Sequence, residues 1–159
     1  MTFSDLFRQW GLQNIKLNIG FAELEFAPTE DDQTAAWDMY VELLTRVATQ
    51  KLPDESGDEA TALESVYSLF PTTREILKSK GRQATEFTKV AIVVLNQVER
   101  PFTAKWHKKK IEDAFSQENE CNAFRSELRV LQGQLKCYSR LLADMAMVED
   151  LTELDSEEI

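Results

Sequence analysis

The chain has 159 residues, of which 43% are hydrophobic and 29% are charged. A domain of this length buries about two thirds of its unfolded surface, and the mixed composition excludes a disordered or fibrous chain. The formal net charge of −10 repels phosphate backbones and anionic lipid surfaces. We therefore expect no direct nucleic-acid binding and no membrane binding.

The first ten residues, MTFSDLFRQW, lack the basic region and the apolar stretch of a secretory signal. The longest apolar run, residues 90–95, is much shorter than the roughly twenty residues that cross a bilayer. Cys121 and Cys137 fall in one predicted helix, too far apart for a disulfide. These features predict a cytoplasmic protein.

The N-terminal part of the chain combines a short helix with a predicted β element. Ser4 is suited to cap a helix that ends at Gly11. Over residues 14–27 apolar and polar side chains alternate, which is strand spacing. The apolar positions change parity between Phe21 and Leu24, so a bulge or a tight turn is expected there. We predict one bent strand or a small hairpin over about 14–27.

Helical periodicity dominates the rest of the chain. A threonine followed by three acidic residues predicts the start of a helix over about 29–50. Residues 52–58 form a loop of turn-forming residues, and a second helix covers about 59–70. Pro71 breaks this helix, and the shorter helix that follows is closed by Gly81.

The second half of the chain holds three predicted helices. Residues 85–100 are apolar nearly all round, which predicts a helix at the centre of the bundle. Pro101 kinks this helix or separates it from the next, over 102–115. The last helix carries an apolar seam at steps of four and three, made of Phe124, Leu128, Leu131, Leu135, Tyr138, Leu142 and Met145. We expect this seam to pack within the bundle, with a dimer interface as the alternative.

These elements predict a mainly α-helical fold, a bundle of four or five helices with a short N-terminal β strand or hairpin. Residues 1–148 form a single domain in this interpretation. Residues 149–159 are rich in acidic side chains, and we expect them to form a flexible tail.

Sequence motifs for catalysis, for a cofactor or for a metal are absent from the chain. One histidine and two widely spaced cysteines do not supply the clustered ligands of a zinc site. The sequence also lacks a Gly-rich phosphate loop and the Gly-x-Ser-x-Gly turn of a hydrolase. We therefore predict a protein that is not an enzyme and that needs neither a cofactor nor a metal.

Residues 105–110, KWHKKK, form a basic cluster in an otherwise acidic chain. One interpretation is a contact for a phosphate or an acidic partner, in which His107 takes part. The interpretation that we favour is a solvated helix face, whose lysines balance nearby carboxylates while Trp106 turns into the core.

Three arginines lie among apolar residues, namely Arg46, Arg74 and Arg100. Because a guanidinium group stays charged, each of them needs a carboxylate or carbonyl partner near the core. We favour structural ion pairs. The alternative is a shared pocket for an anion or for a partner's carboxylate, lined by these arginines and by Asn96, Trp106 and His107.

Three stretches of the chain carry a resemblance: VLNQVERPFTAKWH, AAWDMYVELLTRVATQ and ALESVYSLFPTTREIL. They are similar to an uncharacterised group of small bacterial helical proteins that accompany conflict or antiphage defence genes. The resemblance covers most of residues 29–147. It implies a non-enzymatic component of a multi-protein system, and it assigns no catalytic residue to this chain.

We therefore expect a protein-interaction or regulatory subunit of a bacterial defence system, whose partner is another protein encoded in the same system. A helical face, the edge of the β element or the acidic tail would form the contact, and a homodimer is a further option. The alternative is a bundle that senses a small ligand or nucleotide, or an unrecognised enzyme, using the arginine-lined pocket.

Overall fold

The structure of the chain is a computed structural model that describes residues 1–12, 14–46, 49–55 and 57–154. It confirms the predicted helical bundle. The helices are α1 (Phe3–Gln9), α2 (Ile19–Ala22), α3 (Glu30–Leu44), α4 (Glu59–Tyr67), α5 (Leu69–Lys80), α6 (Thr85–Val94), α7 (Arg100–Ile111) and α8 (Glu118–Ala146). A π-helical segment, Leu95–Glu99, joins α6 to α7, and a 3-10 turn, Ala114–Ser116, precedes α8. None of the helices in the described ranges combines the length and apolar character needed to cross a bilayer.

Local capping signals decide where α1 and α3 begin. Thr29 and Asp32 form a capping box at the start of α3, as the sequence predicts. At α1 the capping residue is Thr2 instead of the predicted Ser4, and Asp5 completes the box. Both hydroxyls can cap a helix, but only Thr2 is followed by an acidic residue three positions later.

Helices α3 and α8 pack along each other and form the centre of the bundle. The whole apolar seam of α8 is buried within this one chain. In it, Phe124 lies edge-on to Trp106, with the two ring centroids 5.2 Å apart. By contrast, Ile92 of α6 is 44% exposed. α6 is therefore not the surrounded central helix that its apolar character predicts.

Two prolines lie inside helices. Pro71 occupies the first turn of α5, and the predicted break lies instead at Ser68. The missing N–H of a proline costs little in a first turn, because amides there have no intrahelical acceptor. Pro101 enters α7 without a loop, directly after the π-helical segment, in which the Arg100 N–H donates to the Leu95 carbonyl. A widened turn before a proline relieves its steric clash with the preceding turn.

Two helices end earlier than the sequence predicts. Helix α3 stops at Leu44 rather than near residue 50, and the buried Thr49 hydroxyl donates to the Leu43 carbonyl at 2.6 Å. Residues 47 and 48 of that predicted helix lie outside the described residues. Helix α7 stops at Ile111, and Asp113 follows with a left-handed φ of 61°. Apolar periodicity does not report these local backbone contacts.

The predicted β element over residues 14–27 is wrong. The described residues contain no strand, and only Thr2 and Glu25 form an isolated antiparallel bridge. The side-chain oxygen of Asn18 instead accepts the Phe21 N–H at 2.8 Å and starts the short helix α2.

A side chain takes the place of a strand partner in this segment. Gln97, from the π-helical segment, donates to the Lys16 carbonyl and accepts from the Lys16 N–H, both at 2.8 Å. Ile15 and Leu17 on either side are half-buried against the core. The alternation therefore reports one buried face, whereas a strand also needs a neighbouring strand to pair its backbone amides.

The predicted flexible tail differs from the structure over residues 149–154. The Tyr40 hydroxyl donates to the Glu149 carbonyl at 3.3 Å and accepts the Leu151 N–H at 2.6 Å. Arg140 on α8 also pairs with the carboxylate of Glu153 at 2.7 Å. These contacts hold residues 149–154 against the bundle, although their acidic composition predicts a solvated tail. Residues 155–159 lie outside the described residues.

Candidate functional site

Arg46 lies in a set of contacts that join three helices. Its guanidinium group bonds the carboxylate of Glu42, which is four residues earlier on α3. It also donates to the hydroxyls of Ser68 and Thr72 at the α4–α5 junction. The end of α3 is tied in this way to the start of α5, which is the structural role that we favour for this arginine.

Arg100 makes a different set of contacts. Its Nε donates to Oδ1 of Asn96 at 3.1 Å, and its guanidinium carbon lies 5.0 Å from the centroid of the Phe70 ring. At about 100° per residue, Phe70 lies on the opposite side of α5 from residues 68 and 72, which Arg46 contacts. Arg46 and Arg100 therefore approach α5 from different sides. Arg74 is exposed on the same helix.

Trp106 and His107 are also held by different neighbours. The Trp106 ring is fully buried, and its Nε1 donates to Oε2 of Glu127 at 2.6 Å. His107 Nε2 lies 3.3 Å from Oε1 of Glu64, and the His107 ring meets the Tyr67 ring edge-on. The structure thus turns Trp106 into the core and leaves His107 at the surface of α7, against α4.

Carboxylates of the same chain pair with three of the four lysines of the KWHKKK cluster. Lys105 pairs with Glu127 at 2.5 Å, and Lys109 pairs with Glu120 at 2.9 Å. A third lysine, Lys110, lies 3.6 Å from Oε1 of Glu64. These pairs agree with the solvated-face interpretation of the cluster.

None of the six residues of the predicted anion or partner pocket lines the four clefts that lie against α1, between α3 and α5, between α7 and α8, and beside residues 11–12 and 14–15. The side chains of Arg46 and Arg100 are both engaged in contacts with other residues of this chain. Within the described ranges, no three histidine, cysteine, aspartate or glutamate side chains are grouped as a metal site.

A surface groove between α3 and α5, called here the α3–α5 groove, has a volume of about 360 Å³. Its apolar parts are Trp37 and Val41 on α3, which are 44% and 38% exposed, and Ile76 on α5. Trp37 and Val41 lie one helical turn apart, so they share one face of α3. The groove therefore offers two large exposed apolar side chains next to each other.

Three carboxylates line the rim of the α3–α5 groove. Asp38 pairs with Lys80, and Glu42 pairs with Arg46. Glu75 is exposed on α5 and makes no ion pair with any described residue. The rim consequently keeps one carboxylate that forms no ion pair with the described residues.

A second cleft lies between α7 and α8 and has a volume of about 350 Å³. It is mostly apolar, and the exposed Val130 stands on its α8 wall. Lys105 and Glu127, the charged residues of its lining, pair with each other. The charges of this cleft therefore cancel, and they favour no particular partner.

Glu99 is a buried carboxyl group that the sequence pattern does not single out. It ends the π-helical segment, is 1% exposed, and has no hydrogen-bond partner for Oε2 within the described residues. Burial raises the pKa of Glu99 to about 8, so its carboxyl group is protonated at neutral pH. The pKa of Tyr138 is raised well above its usual value, mainly by burial and to a smaller extent by the charge of the Glu99 carboxyl group. The only signal in the sequence is a glutamate within a largely apolar run.

No protein-family model matches this chain, and comparisons with curated proteins and with solved structures found no match either. The resemblance to small bacterial helical proteins of defence loci therefore stays a prediction.

Proposed function

We propose that the chain is a non-enzymatic protein-interaction or regulatory subunit that holds a segment of a partner protein in the α3–α5 groove. The observation that carries this proposal is the exposed indole of Trp37 at the groove. Tryptophan contributes strongly to binding in protein interfaces, because it combines a large apolar area with only two rotatable side-chain bonds.

The surroundings of Trp37 support a binding role. Its ring centroid lies 5.9 Å from that of Tyr40, which is fully buried. Val41 follows one turn later, and Ile76 adds apolar surface from α5. This connected surface is held in place before a partner arrives, which lowers the entropic cost of ordering side chains on binding.

A protein segment suits the α3–α5 groove better than a small ligand does. The groove is open to solvent, whereas small-ligand sites enclose most of the surface of their ligand. The arginine-lined pocket that the alternative function requires is also not favoured, since Arg46 and Arg100 lie on different sides of α5.

Affinity capture of the tagged chain from cells that naturally express it tests this proposal. The wild type and Ile111→Ala, which changes an exposed apolar residue outside the groove, should retain a stoichiometric partner. Trp37→Ala should lose it, because truncating a central interface tryptophan typically costs 2 kcal/mol or more, roughly a thirtyfold loss of affinity. Mass spectrometry and light scattering measure the partner and its stoichiometry, and circular dichroism checks that each variant is folded. Equal retention by the two variants would contradict a role for the groove.

The sequence resemblance extends this proposal to a partner that is encoded in the same bacterial defence system. The identity of the captured protein tests the extension. A partner encoded away from any defence gene would contradict it, while loss of that partner in Trp37→Ala would still support the groove.

A further inference from the structure

We propose that the occupant of the α3–α5 groove is a short amphipathic helix of the partner that carries lysine or arginine beside its apolar face. This inference rests on the proposed function, because it specifies the chemistry of the segment that the groove holds.

The shape of the groove favours a helix. Its lining residues on α5 lie at positions 72, 75, 76 and 79, so this wall is two helical turns, roughly 10 Å, long. Trp37 and Val41 stand one turn apart on the opposite wall. A valley between two helices accepts a third helix, whose apolar side chains at three- and four-residue spacing would meet Trp37 and Val41.

The rim of the groove favours a basic occupant. Asp38 and Glu42 already form ion pairs with cations of this chain, whereas Glu75 forms none with the described residues. The nearest basic residues on α5 are Arg74 and Lys78, and Lys78 lies only about 60° around the helix from Glu75. Neither of them forms an ion pair with Glu75 in the described part of the chain. A lysine or arginine of the partner can therefore pair with Glu75 across the groove.

The charge of the whole chain acts in the same direction. Its formal net charge of −10 attracts a basic segment at long range and repels an acidic one. This overall field would, however, attract any basic peptide to any part of the surface. A test must therefore separate attraction by Glu75 from attraction by the total charge.

Two synthetic peptides serve as the probe. Each has about 15 residues, which is long enough to form a helix, with leucines at i, i+3, i+4 and i+7. One carries lysines beside the leucines and the other carries glutamates at the same positions. Fluorescence anisotropy of the labelled peptides measures binding to the full chain. We expect the lysine peptide to bind at least three- to fivefold more tightly, about the effect of one exposed ion pair, and the difference to shrink as salt is added.

Two charge reversals provide matched variants. Glu75→Lys and Glu112→Lys change the net charge equally, but Glu112 is exposed at the end of α7 and does not line the groove. Glu75→Lys should abolish most of the preference for the lysine peptide, and Glu112→Lys should keep most of it. Trp37→Ala should weaken the binding of both peptides.

Three outcomes would overturn the basic-helix occupant. They are equal binding of the two peptides to the wild type, no binding of either peptide, and an equal loss of preference in Glu75→Lys and Glu112→Lys. None of them alters capture of the natural partner through Trp37. Failure of this inference is therefore distinguishable from failure of the proposed function.

Discussion

Burial sets the protonation state of Glu99 at the end of the π-helical segment. The pKa of Glu99 is about 8 in the folded chain, whereas the ordinary value for a glutamate, which applies to the unfolded chain, is 4.5. Between these two pH values the folded state binds a proton that the unfolded state has released. The free energy of unfolding should therefore fall as the pH rises from about 4.5 through 8.

Glu99→Gln should remove this pH dependence, because glutamine has a similar shape and does not ionise. We expect the variant to be more stable than the wild type above pH 8, by an amount on the order of a few kcal/mol. Urea unfolding at several pH values between about 5 and 9 measures the effect. The exposed Glu112→Gln is the control and should follow the wild-type profile. Identical profiles for Glu99→Gln and the wild type would rule out this role of the carboxyl group.

Two tryptophans show what sequence can say about single residues of the site. The sequence left two interpretations of Trp106, a pocket residue among basic neighbours and, as the favoured one, a core residue, and the structure buries its ring completely. Trp37 lies in an ordinary helical pattern, and the structure exposes it at the α3–α5 groove. The exposure of a side chain depends on which helices cover it, and the neighbouring residues in the sequence do not specify those helices.

Two glycines have opposite roles within helical elements. Gly133 lies inside α8, where an added Cβ would meet nothing within 4 Å. Gly81 follows α5, and a Cβ there would lie 2.6 Å from the Leu77 carbonyl oxygen. A glycine inside a helix costs about 0.5–1 kcal/mol relative to alanine, unless close packing requires its missing side chain.

Gly133→Ala should raise the free energy of unfolding by about 0.5–1 kcal/mol, because it restricts the unfolded chain without a clash in α8. Gly81→Ala is the matched comparison, and it should lower the free energy of unfolding because its Cβ would crowd backbone. Chemical denaturation at constant pH measures both. A destabilised Gly133→Ala would mean that this side of α8 is covered.

Elements defined by a few adjacent residues were the ones that the sequence predicted well. The start of α3 follows from Thr29 and Asp32, which lie within one turn of each other. The β element failed because a strand requires a partner strand, and alternating residues supply only a buried face. In this chain Gln97, about eighty positions away, supplies the hydrogen bonds of Lys16.

At the scale of the whole molecule, contacts with a distant helix, α3, hold the C-terminal segment. The Tyr40 hydroxyl bridges the Glu149 carbonyl and the Leu151 N–H. The ring of Tyr40 is part of the buried core between α3 and α8. The Tyr40 phenol thus links the backbone of the segment to the buried core, in addition to the surface ion pair between Arg140 and Glu153.

Tyr40→Phe should lower the free energy of unfolding by about 1–2 kcal/mol, because it removes both hydrogen bonds and leaves the ring in place. Hydrogen exchange should also become faster over residues 149–154. The control is Tyr67→Phe, whose side chain is exposed on α4 and should change neither quantity by more than about 0.5 kcal/mol. Unchanged exchange in Tyr40→Phe would show that other contacts hold the segment.

The helical class, the capped start of α3 and the apolar seam of α8 were determined by the sequence alone. Helical periodicity and helix capping depend on residues within one or two turns of each other, so both can be recognised from the sequence. Only the tertiary structure decided that Trp37 borders an open groove, that Arg46 and Arg100 lie on different sides of α5, and that Glu99 is buried. Each of these depends on packing between residues far apart in the chain, which local patterns do not encode.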